Sequence, residues 1–255
     1  MPALFDVTDR LALITGSTRG LGHALARGLA AHGARVILHG RDLAQVEAAA
    51  RRLATETGAT VEAVAFDVTD ADAVKTAVEP LIERLGVPDI LVNNAGLQKR
   101  APFNDFDSAD WDAVIATNLS SAFYVSKAVS PAMSARGSGK IVNIGSVQSK
   151  LARETIVPYA ASKGGVALLT QGMAADLARD NIQVNCLSPG YFQTDMNQAL
   201  WQDDDFNTWI EQRTPAGRWG QIEELVGTLI YLCSDAANFV SGQNLFVDGG
   251  MTSVV

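Results

Sequence analysis

The sequence has little cysteine, no long apolar run and no excess of basic charge. Its two cysteines, Cys186 and Cys233, lie in apolar contexts among 255 residues, so we expect buried thiols and no disulfide framework. No apolar run reaches the roughly 18 residues that a membrane-spanning helix needs. The first residues, MPALFDVTDR, lack the basic and apolar regions of a signal peptide. We therefore expect a cytoplasmic chain without a membrane partner.

The charge balance argues against two further classes of protein. The formal net charge is -8, whereas a general nucleic-acid binder needs a basic surface, so nucleic acid is not an expected partner. The three histidines are scattered along the chain, and no metal-ligand spacing appears, so no metal site is expected. With 47% apolar and 19% charged residues, the chain can bury a sizeable core.

Short apolar segments alternate with helical patterns along the whole chain. The segments are rich in Val, Ile and Leu, which is typical of parallel strands buried on both faces. They cover residues 11–15, 35–40, 61–68, 89–95, 140–146, 182–189 and 243–249. The alternation predicts an α/β fold, a Rossmann-type doubly wound seven-stranded parallel sheet flanked by helices. We expect one domain over residues 1–255.

A glycine-rich turn follows the first predicted strand. The stretch TGSTRGLG brings Gly16, Gly20 and Gly22 between a strand and a helix. Glycines permit a tight turn and a close approach of the backbone to a pyrophosphate, and the helix N-terminus supplies free N–H groups and a positive dipole end. The turn therefore predicts a dinucleotide site, with a turn that binds no ligand as the alternative.

A tyrosine and a lysine stand four residues apart in the stretch PYAASKGGV, residues 158–166. On a helix, Tyr159 and Lys163 would share one face. An ammonium beside a phenol favours the phenolate, so we expect it to lower the pKa of Tyr159 from about 10 towards neutral. Tyr159 would then serve as a general acid or base. The alternative is a tyrosine at a helix start with a solvated lysine below it.

Four motifs in order make the chain similar to a known family. The pattern TGxxxGxG, then NNAG at 93–96, then Ser146, then YAASK, resembles the short-chain dehydrogenase/reductase family over essentially the whole chain. The resemblance implies hydride transfer to or from a nicotinamide cofactor. It implies that Tyr159 is the general acid/base and that Lys163 holds the nicotinamide ribose. It further implies that Ser146 hydrogen-bonds the substrate oxygen and that Asn118 holds a water in a proton relay.

The resemblance also implies a set of cofactor contacts and an assembly. Besides Tyr159 and Lys163, the expected contacts from the glycine turn to the sixth strand are Gly16, Ser17, Arg19, Gly20, Leu21, Gly22, Arg41, Asp67, Val68, Asn94, Ala95, Gly96, Pro189, Gly190, Phe192 and Thr194. Residues of about 191–220 form the variable substrate-side lid in this family. Members are usually tetrameric or dimeric, and we expect a homotetramer.

The choice of nicotinamide cofactor depends on the end of the second strand. An acid there would bind the ribose 2′-hydroxyl of NAD, but the usual acidic position falls at Gly40. Arg41 follows it, and Arg19 stands in the glycine turn; both could pair with a 2′-phosphate. NADP is therefore favoured. NAD stays open because Asp42 could act as the ribose acid or simply cap the next helix.

The segments around the motifs suggest a substrate. Residues 93–103, 145–165, 189–196, 213–220 and 245–251 resemble the gluconate 5-dehydrogenase branch of the family. This implies interconversion of D-gluconate and 5-keto-D-gluconate, with a sugar acid or polyol as the small-molecule partner. Gln98, Gln148 and Arg153 lie on segments expected to face the site, and Lys99, Arg100 and Arg153 are candidate carboxylate partners.

Two other functions remain open. A 3-oxoacyl-thioester reductase shares the same core motifs, and basic residues near the site mouth would suit its phosphopantetheine-carrying partner. A catalytically silent nucleotide-binding sensor belongs to a different class. The intact set of Asn118, Ser146, Tyr159 and Lys163 argues against the sensor.

Overall fold

Parallel strands form the centre of the molecule, as the sequence predicts. The computed structural model describes residues 4–193 and 198–254. Within them, seven parallel strands form one sheet in the order β3-β2-β1-β4-β5-β6-β7. The strands are β1 (Leu11–Ile14), β2 (Arg35–Gly40), β3 (Val61–Ala65), β4 (Ile90–Asn93), β5 (Gly139–Ile144), β6 (Ile182–Pro189) and β7 (Asn244–Val247).

Helices cover both faces of this sheet. They are α1 (Gly20–Ala31), α2 (Leu43–Thr57), α3 (Ala71–Leu85), α4 (Ser108–Ile115), α5 (Ser121–Arg136), α6 (Val157–Leu177), α7 (Gln198–Trp201), α8 (Asp204–Arg213) and α9 (Glu223–Cys233). A π-helical turn, Ala116–Ser120, joins α4 to α5. In the described part of the chain, no helix has the length and apolarity required to cross a bilayer.

Two cores, one on each face, explain why the strands read as continuous apolar runs. In β1, Ala12 and Ile14 face the core under α1, α2 and α9. Leu11 and Leu13 face the opposite core, under α3, α5 and α6. Alternate residues of a strand point to opposite faces, so a strand covered on both sides needs apolar residues throughout.

The helices differ in how they begin. The side chains of Asp42, Asp70, Asp107 and Asp203 accept backbone N–H bonds at the starts of α2, α3, α4 and α8. Helix α1 follows an extended Arg19, and it has neither a side-chain cap nor an acid in its first turn. Its first N–H groups are therefore not satisfied by a side-chain cap, at the edge where β1 meets β4.

The carboxyl ends of the central strands meet at this edge. β1 and β4 are neighbours although two other strands separate them in sequence, so the crossovers run to opposite sides and leave a crevice. The loops after β4, β5 and β6 surround the crevice. Five predicted strands extend too far, because the chain leaves the sheet earlier to form the loop that follows each strand. The observed ends of β1, β3, β4, β5 and β7 are Ile14, Ala65, Asn93, Ile144 and Val247.

The predicted lid leaves and rejoins the sheet at one point. Gln193 N–H donates to the Gly220 carbonyl at 3.0 Å, and Gly220 N–H donates to the Tyr191 carbonyl at 2.9 Å. Between these bonds, Ile210 and Trp219 pack with Val147 in a small separate core. The two ends of the segment are therefore hydrogen-bonded to each other, and its apolar side chains pack on the loop after β5.

Candidate active site

The glycine turn after β1 presents an open cradle. Gly20 has a φ of +57°, and a Cβ built on it would meet no atom within 4 Å. Arg19, just before it, is exposed. The uncapped first turn of α1 begins at this point, so free N–H groups and the positive end of the helix dipole face open space. These features fit an anionic pyrophosphate.

Ser17 corrects one predicted cofactor contact. Its side chain is completely buried, and its hydroxyl donates to the Ile14 carbonyl at 2.7 Å. The same oxygen accepts from His39 N–H at 2.9 Å. The hydroxyl therefore holds the turn together from inside and does not reach a ligand, because the turn folds over it.

The end of β2 has no room for an acidic side chain. A Cβ at Gly40 would lie 2.9 Å from Val46 Cγ2 and 3.0 Å from Thr18 Cγ2. Asp42, the other candidate ribose acid, accepts from the backbone N–H and the side-chain amide of Gln45. Asp42 is therefore the cap of α2, as its helix-start interpretation predicts. This geometry removes the sequence argument for NAD.

Arg41 is exposed beside the predicted adenine side of the site. Bonds from Thr69 lower the pKa of Asp67, and the Arg41 guanidinium lowers it further. Arg41 therefore lies within electrostatic reach of Asp67, while its own side chain is exposed. A cation at this position suits a 2′-phosphate.

The remaining predicted cofactor contacts differ in their exposure and in their hydrogen bonds. Asn94 donates to the carbonyls of Thr15 and Gly16, so its amide serves the turn. Gly190 follows β6, and its N–H donates to the Val247 carbonyl at 2.9 Å. Partly or fully exposed are Leu21, Ala95 and Gly96, whereas Gly22, Val68, Pro189 and Phe192 are buried. Thr194 lies outside the described residues.

Three predicted catalytic side chains meet at the carboxyl ends of β5 and β6. Ser146 follows β5, and its hydroxyl lies near enough to the Tyr159 phenol to lower the pKa of that phenol. Lys163 lies on the same helix as Tyr159, with its Nζ 5.7 Å from the Tyr159 ring centroid. Lys163 Nζ donates to the Ile144 carbonyl at 2.7 Å. The sequence therefore predicted the grouping correctly.

The predicted direction of the Tyr159 pKa was wrong for this arrangement. Burial raises the pKa of Tyr159 above its usual 10.0, and the Ser146 hydroxyl lowers it by less. Burial also lowers the pKa of Lys163 from 10.5 to about 8. The lysine is fixed by a carbonyl and lies beside the ring rather than bonding the hydroxyl. Desolvation therefore dominates the effect of the nearby ammonium.

Asn118 lies in the π-helical turn between α4 and α5. Its Oδ1 accepts from Leu97 N–H at 2.8 Å, and its Nδ2 donates to the Leu97 carbonyl and to Ser162 Oγ at 3.0 Å each. The amide joins the loop after β4 to the helix that carries Tyr159 and Lys163. Its role in a proton relay stays a prediction. π-Helical turns are frequent at functional sites.

Two arginines converge on the substrate side. Partial burial and the neighbouring Arg153 lower the pKa of Arg100. Burial raises the pKa of Tyr191, while both arginines and a hydrogen bond from Gln148 lower it. A backbone bond from Ala101 N–H to the Thr155 carbonyl, 3.1 Å long, holds the two loops together. Arg100, Arg153, Gln148 and Tyr191 therefore form one cluster, which we call the arginine cluster.

The arginine cluster contains unsatisfied polar atoms. Arg153 Nε and Gln148 Oε1 are buried, and neither has a hydrogen-bond partner among the described residues. None of the ion pairs formed within residues 4–193 and 198–254 involves Arg100 or Arg153. A buried donor beside a buried acceptor suits a ligand with both acidic and hydroxyl groups.

Two other predicted substrate residues stand apart from the arginine cluster. Lys99 Nζ lies 3.3 Å from Asp110 Oδ1, on the exposed surface, so its charge already has a partner. Gln98 is half-buried one residue after Leu97. Its role in substrate binding stays a prediction.

Sequence reasoning missed Tyr191 and the aromatic side chains around it. The Tyr191 ring meets Phe206, Trp209 and Trp219 edge-on, with centroids 5.7–6.0 Å apart. The Arg153 guanidinium lies 5.1 Å from the Phe206 ring centroid. These rings tie the lid to the arginine cluster. The sequence does concentrate aromatic residues between positions 191 and 219, but their spacing alone does not show which rings contact each other.

Fold and site together define the class of protein. A parallel sheet with an uncapped glycine turn at its switch point, and a Ser–Tyr–Lys group at the ends of the next strands, defines an oxidoreductase of the dinucleotide-binding fold. Residues 16–252 match the family described as Enoyl-(Acyl carrier protein) reductase. The chain belongs to the short-chain dehydrogenase/reductase family.

Several relatives match over nearly their whole length. The chain is 50% identical to a gluconate 5-dehydrogenase of Gluconobacter oxydans, over 98% of both chains. It is 47% identical to a 5-keto-D-gluconate 5-reductase of Escherichia coli, over 100% of both chains. A crystal structure of a gluconate 5-dehydrogenase from Burkholderia cenocepacia, in complex with NADP and tartrate, has a TM-score of 0.96 and 52% identity, covering 99% of this chain and 98% of that one.

Proposed function

We propose that this enzyme interconverts D-gluconate and 5-keto-D-gluconate with NADP(H). The observation that carries the proposal is the arginine cluster, in which two guanidinium groups without an acidic partner in the described residues flank Tyr191 and Gln148. A sugar acid offers a carboxylate to the arginines and hydroxyl groups to Gln148 Oε1. The activities named for the relatives from Gluconobacter and Escherichia agree with this substrate.

Two buried polar atoms that lack hydrogen-bond partners support a carboxylate substrate. A buried group without a partner costs about 1–3 kcal/mol, and Arg153 Nε and Gln148 Oε1 are two such groups. Arginine presents a planar fork that matches a carboxylate. We propose Arg153 as the first carboxylate partner and Arg100 as the second, with Gln148 and Gln98 binding hydroxyls.

The acid–base chemistry falls to Tyr159. Because its pKa is raised, the phenol is protonated at neutral pH and can donate to the oxygen of a bound ketone. The Ser146 hydroxyl lies beside the same phenol, so it is within reach of the reacting oxygen and can orient it. In the oxidation direction the proton of the alcohol passes to the phenolate form of Tyr159, which regenerates the phenol. Lys163 lies beside the ring that becomes a phenolate.

The residues that would hold the cofactor follow the crevice. We propose that the first turn of α1 binds the pyrophosphate and that Arg19 and Arg41 bind a 2′-phosphate. Asp67 and Val68 would flank the adenine, and Lys163 the nicotinamide ribose. When bound, the cofactor supplies the hydride acceptor or donor. The crowding at Gly40 and the capping role of Asp42 support NADP over NAD.

The proposed assembly is a homotetramer located in the cytoplasm. Support for association comes from α5 and α6, where Phe123 is 45% and Leu168 is 70% exposed. Large apolar side chains at such exposure favour burial against another chain. The proposed location rests on composition alone.

A substrate comparison tests the proposed function. We would measure kcat/KM for 5-keto-D-gluconate and for an acetoacetyl thioester, each with NADPH and with NADH. The thioester matters because the matched family's description refers to acyl carrier protein. We expect a clear preference for the sugar acid and NADPH. A preference for the thioester would leave the reductase alternative, and turnover of neither with cofactor still bound would leave the sensor.

A pair of variants tests the carboxylate partner. Arg153→Gln should raise KM for 5-keto-D-gluconate by roughly 10- to 100-fold, since a hydrogen bond to a charged group contributes about 1.5–3 kcal/mol. The matched control is Lys99→Gln, which removes a cation already paired with Asp110. It should leave KM near the wild-type value. Equal effects from both variants would point to general surface charge instead of a specific contact.

A further inference from the structure

His39 is a buried histidine with partners on both sides of the dinucleotide site. It lies in β2, and only 2% of it is exposed. Its Nδ1 lies 3.0 Å from the backbone nitrogen of Gly16 in the glycine turn. Its Nε2 lies 3.1 Å from the carbonyl of Phe66, after β3. One side chain therefore joins two loops that come from different strands.

The two partners determine the tautomer of the ring. The Gly16 N–H can only donate, so Nδ1 is the acceptor, and the Phe66 carbonyl can only accept, so Nε2 carries the hydrogen. Burial lowers the pKa of His39 from 6.5 to about 4, which keeps the ring neutral at physiological pH. His39 is thus a neutral donor–acceptor of fixed orientation.

Gly16 is held at both of its backbone polar groups, which belong to the two peptides that flank its Cα. His39 accepts its N–H, and Asn94 Nδ2 donates to its carbonyl at 2.9 Å. Gly16 has a φ of +61°, in the left-handed region that favours glycine. The direction of these peptides sets where the chain goes next, towards the uncapped first turn of α1. An anchor at Gly16 therefore fixes the N–H groups that face the open cradle at Gly20.

The Phe66 side of the bond supports the opposite wall. The rings of His39 and Phe66 are tilted at 45° with centroids 4.0 Å apart. Asp67 and Val68, the proposed adenine contacts, follow Phe66 directly in the chain. The bond from Nε2 therefore fixes the start of the segment that carries them.

We propose that His39 is a positioning residue for the dinucleotide, whose Nδ1 holds the glycine turn in its binding geometry and whose Nε2 holds the adenine-side segment. The role rests on the proposed use of NADP(H). His39 is not a catalytic residue, because its ring is buried behind the turn.

Three substitutions separate the two bonds from simple packing. His39→Asn keeps an acceptor near the position of Nδ1, His39→Gln keeps a donor near the position of Nε2, and His39→Phe keeps the ring without either bond. We would titrate each variant with NADPH by fluorescence and with 2′-phospho-ADP-ribose by calorimetry, and record thermal unfolding. The matched control is His32→Asn, at an exposed histidine directly after α1.

The expected order of affinity identifies the bond to Gly16. His39→Asn loses only the Nε2 bond to the adenine-side segment and should bind both ligands roughly two- to threefold more weakly than the wild type. His39→Gln should bind both roughly three- to tenfold more weakly, the loss expected for one neutral hydrogen bond, and His39→Phe, which loses both bonds, more weakly still. His32→Asn should bind as the wild type does. Affinities that follow only the unfolding temperatures would overturn the positioning role.

The outcomes also distinguish this role from the proposed function. If the wild type binds neither NADPH nor NADH, the proposed cofactor use fails and the role of His39 fails with it. If the wild type binds NADPH but His39→Gln binds as tightly as His39→Asn, only the role of the Gly16 bond is overturned. Hydrogen exchange at the Gly16 amide of the native chain provides a measurement that needs no variant: slow exchange is expected, and fast exchange contradicts the bond.

Discussion

Burial raises the pKa of Tyr159, so its phenol is protonated and can donate a proton at neutral pH, with the Ser146 hydroxyl beside it. Tyr159→Phe removes one hydroxyl and almost no volume, so the fold and cofactor binding should persist. General acid–base catalysis typically contributes about 100- to 10,000-fold, and we expect turnover to fall by that factor. Steady-state kinetics measures the loss of turnover, and a titration with NADPH checks that cofactor binding persists. Near-wild-type turnover would mean that another group carries the proton.

Lys163 should make the reaction depend on pH. Burial lowers its pKa from 10.5 to about 8, so the ammonium is present below that pH and lost above it. The ammonium stabilises the phenolate that Tyr159 leaves after donating its proton. We therefore expect kcat/KM for ketone reduction to fall as pH rises through about 8. A pH–rate profile between about pH 6.5 and 10 measures this limb.

Two variants assign the limb to the lysine. Lys163→Met should lower the rate at every pH and remove the limb. Cys186 is a second titratable group nearby, but burial raises its pKa, so Cys186→Ala should keep the limb in place. A limb that survives in Lys163→Met belongs to some other group.

Arg41 should discriminate between the two nicotinamide cofactors. A guanidinium at a 2′-phosphate makes charge-assisted bonds that NAD cannot use. We expect Arg41→Ala to raise the dissociation constant of NADPH by roughly 10- to 100-fold and that of NADH only slightly. The matched control is Asp42→Ser, which keeps a cap for α2 and removes the acid. Equal losses for both cofactors in Arg41→Ala would assign Arg41 to the loop instead of the phosphate.

The sequence predicted where single residues lie in the fold better than it predicted how deeply they are buried. The spacing of Tyr159 and Lys163 placed them correctly on α6, because helical geometry fixes which residues share a face. Burial is a property of the whole fold, and spacing does not report it. For this reason the direction of the Tyr159 pKa and the contact assigned to Ser17 were wrong.

At the scale of elements, the lid depends on the aromatic rings that join it to the arginine cluster. Phe206 on α8 contacts Tyr191, Trp209 and Trp219, and it lies under the Arg153 guanidinium. Phe206→Ala removes these contacts. A cation–π contact is worth about 0.5–2 kcal/mol, so we expect KM for the sugar acid to rise roughly 3- to 30-fold while NADPH affinity is unchanged.

A substitution on the same helix provides the control for the lid. Thr208 is exposed on α8, two residues after Phe206, and Thr208→Ala should alter neither constant. If Phe206→Ala weakens the binding of NADPH as strongly as the binding of substrate, the helix supports the whole crevice and not the substrate side alone.

The strands were predictable and the lid was not, for a physical reason. Strands buried on both faces need continuous apolar residues, so all seven appear in the sequence as short apolar runs. The carboxyl ends of β3 and β5 were placed too late, because Phe66, Val68, Gly145 and Ser146 are as apolar or as small as strand residues although they lie beside the site. The lid packs through rings contributed from distant positions, which no local period reveals.

At the scale of the whole molecule, one chain leaves large apolar side chains exposed on the helices that carry the site. Phe123 on α5 and Leu168 on α6 are examples. Asn118 lies in the π-helical turn that leads into α5, and α6 carries Tyr159 and Lys163. Association through α5 and α6 would rigidify the elements that position the catalytic groups, so the proposed assembly and the proposed activity are physically connected.

The proposed homotetramer predicts how charge at these positions acts. An aspartate in a buried interface loses its hydration without a partner, so Phe123→Asp and Leu168→Asp should each lower the mass measured by light scattering, with the helical content in circular dichroism retained. Leu43→Asp is the matched control: Leu43 is 50% exposed at the first position of α2, where an acid suits the helix dipole, and this variant should keep the wild-type mass. Because α6 carries Tyr159, we also expect the dissociated variants to lose turnover at low protein concentration and to regain part of it as concentration rises. A monomeric wild type at working concentration would refute the tetramer, and full turnover in a monomeric variant would show that the site is complete within one chain.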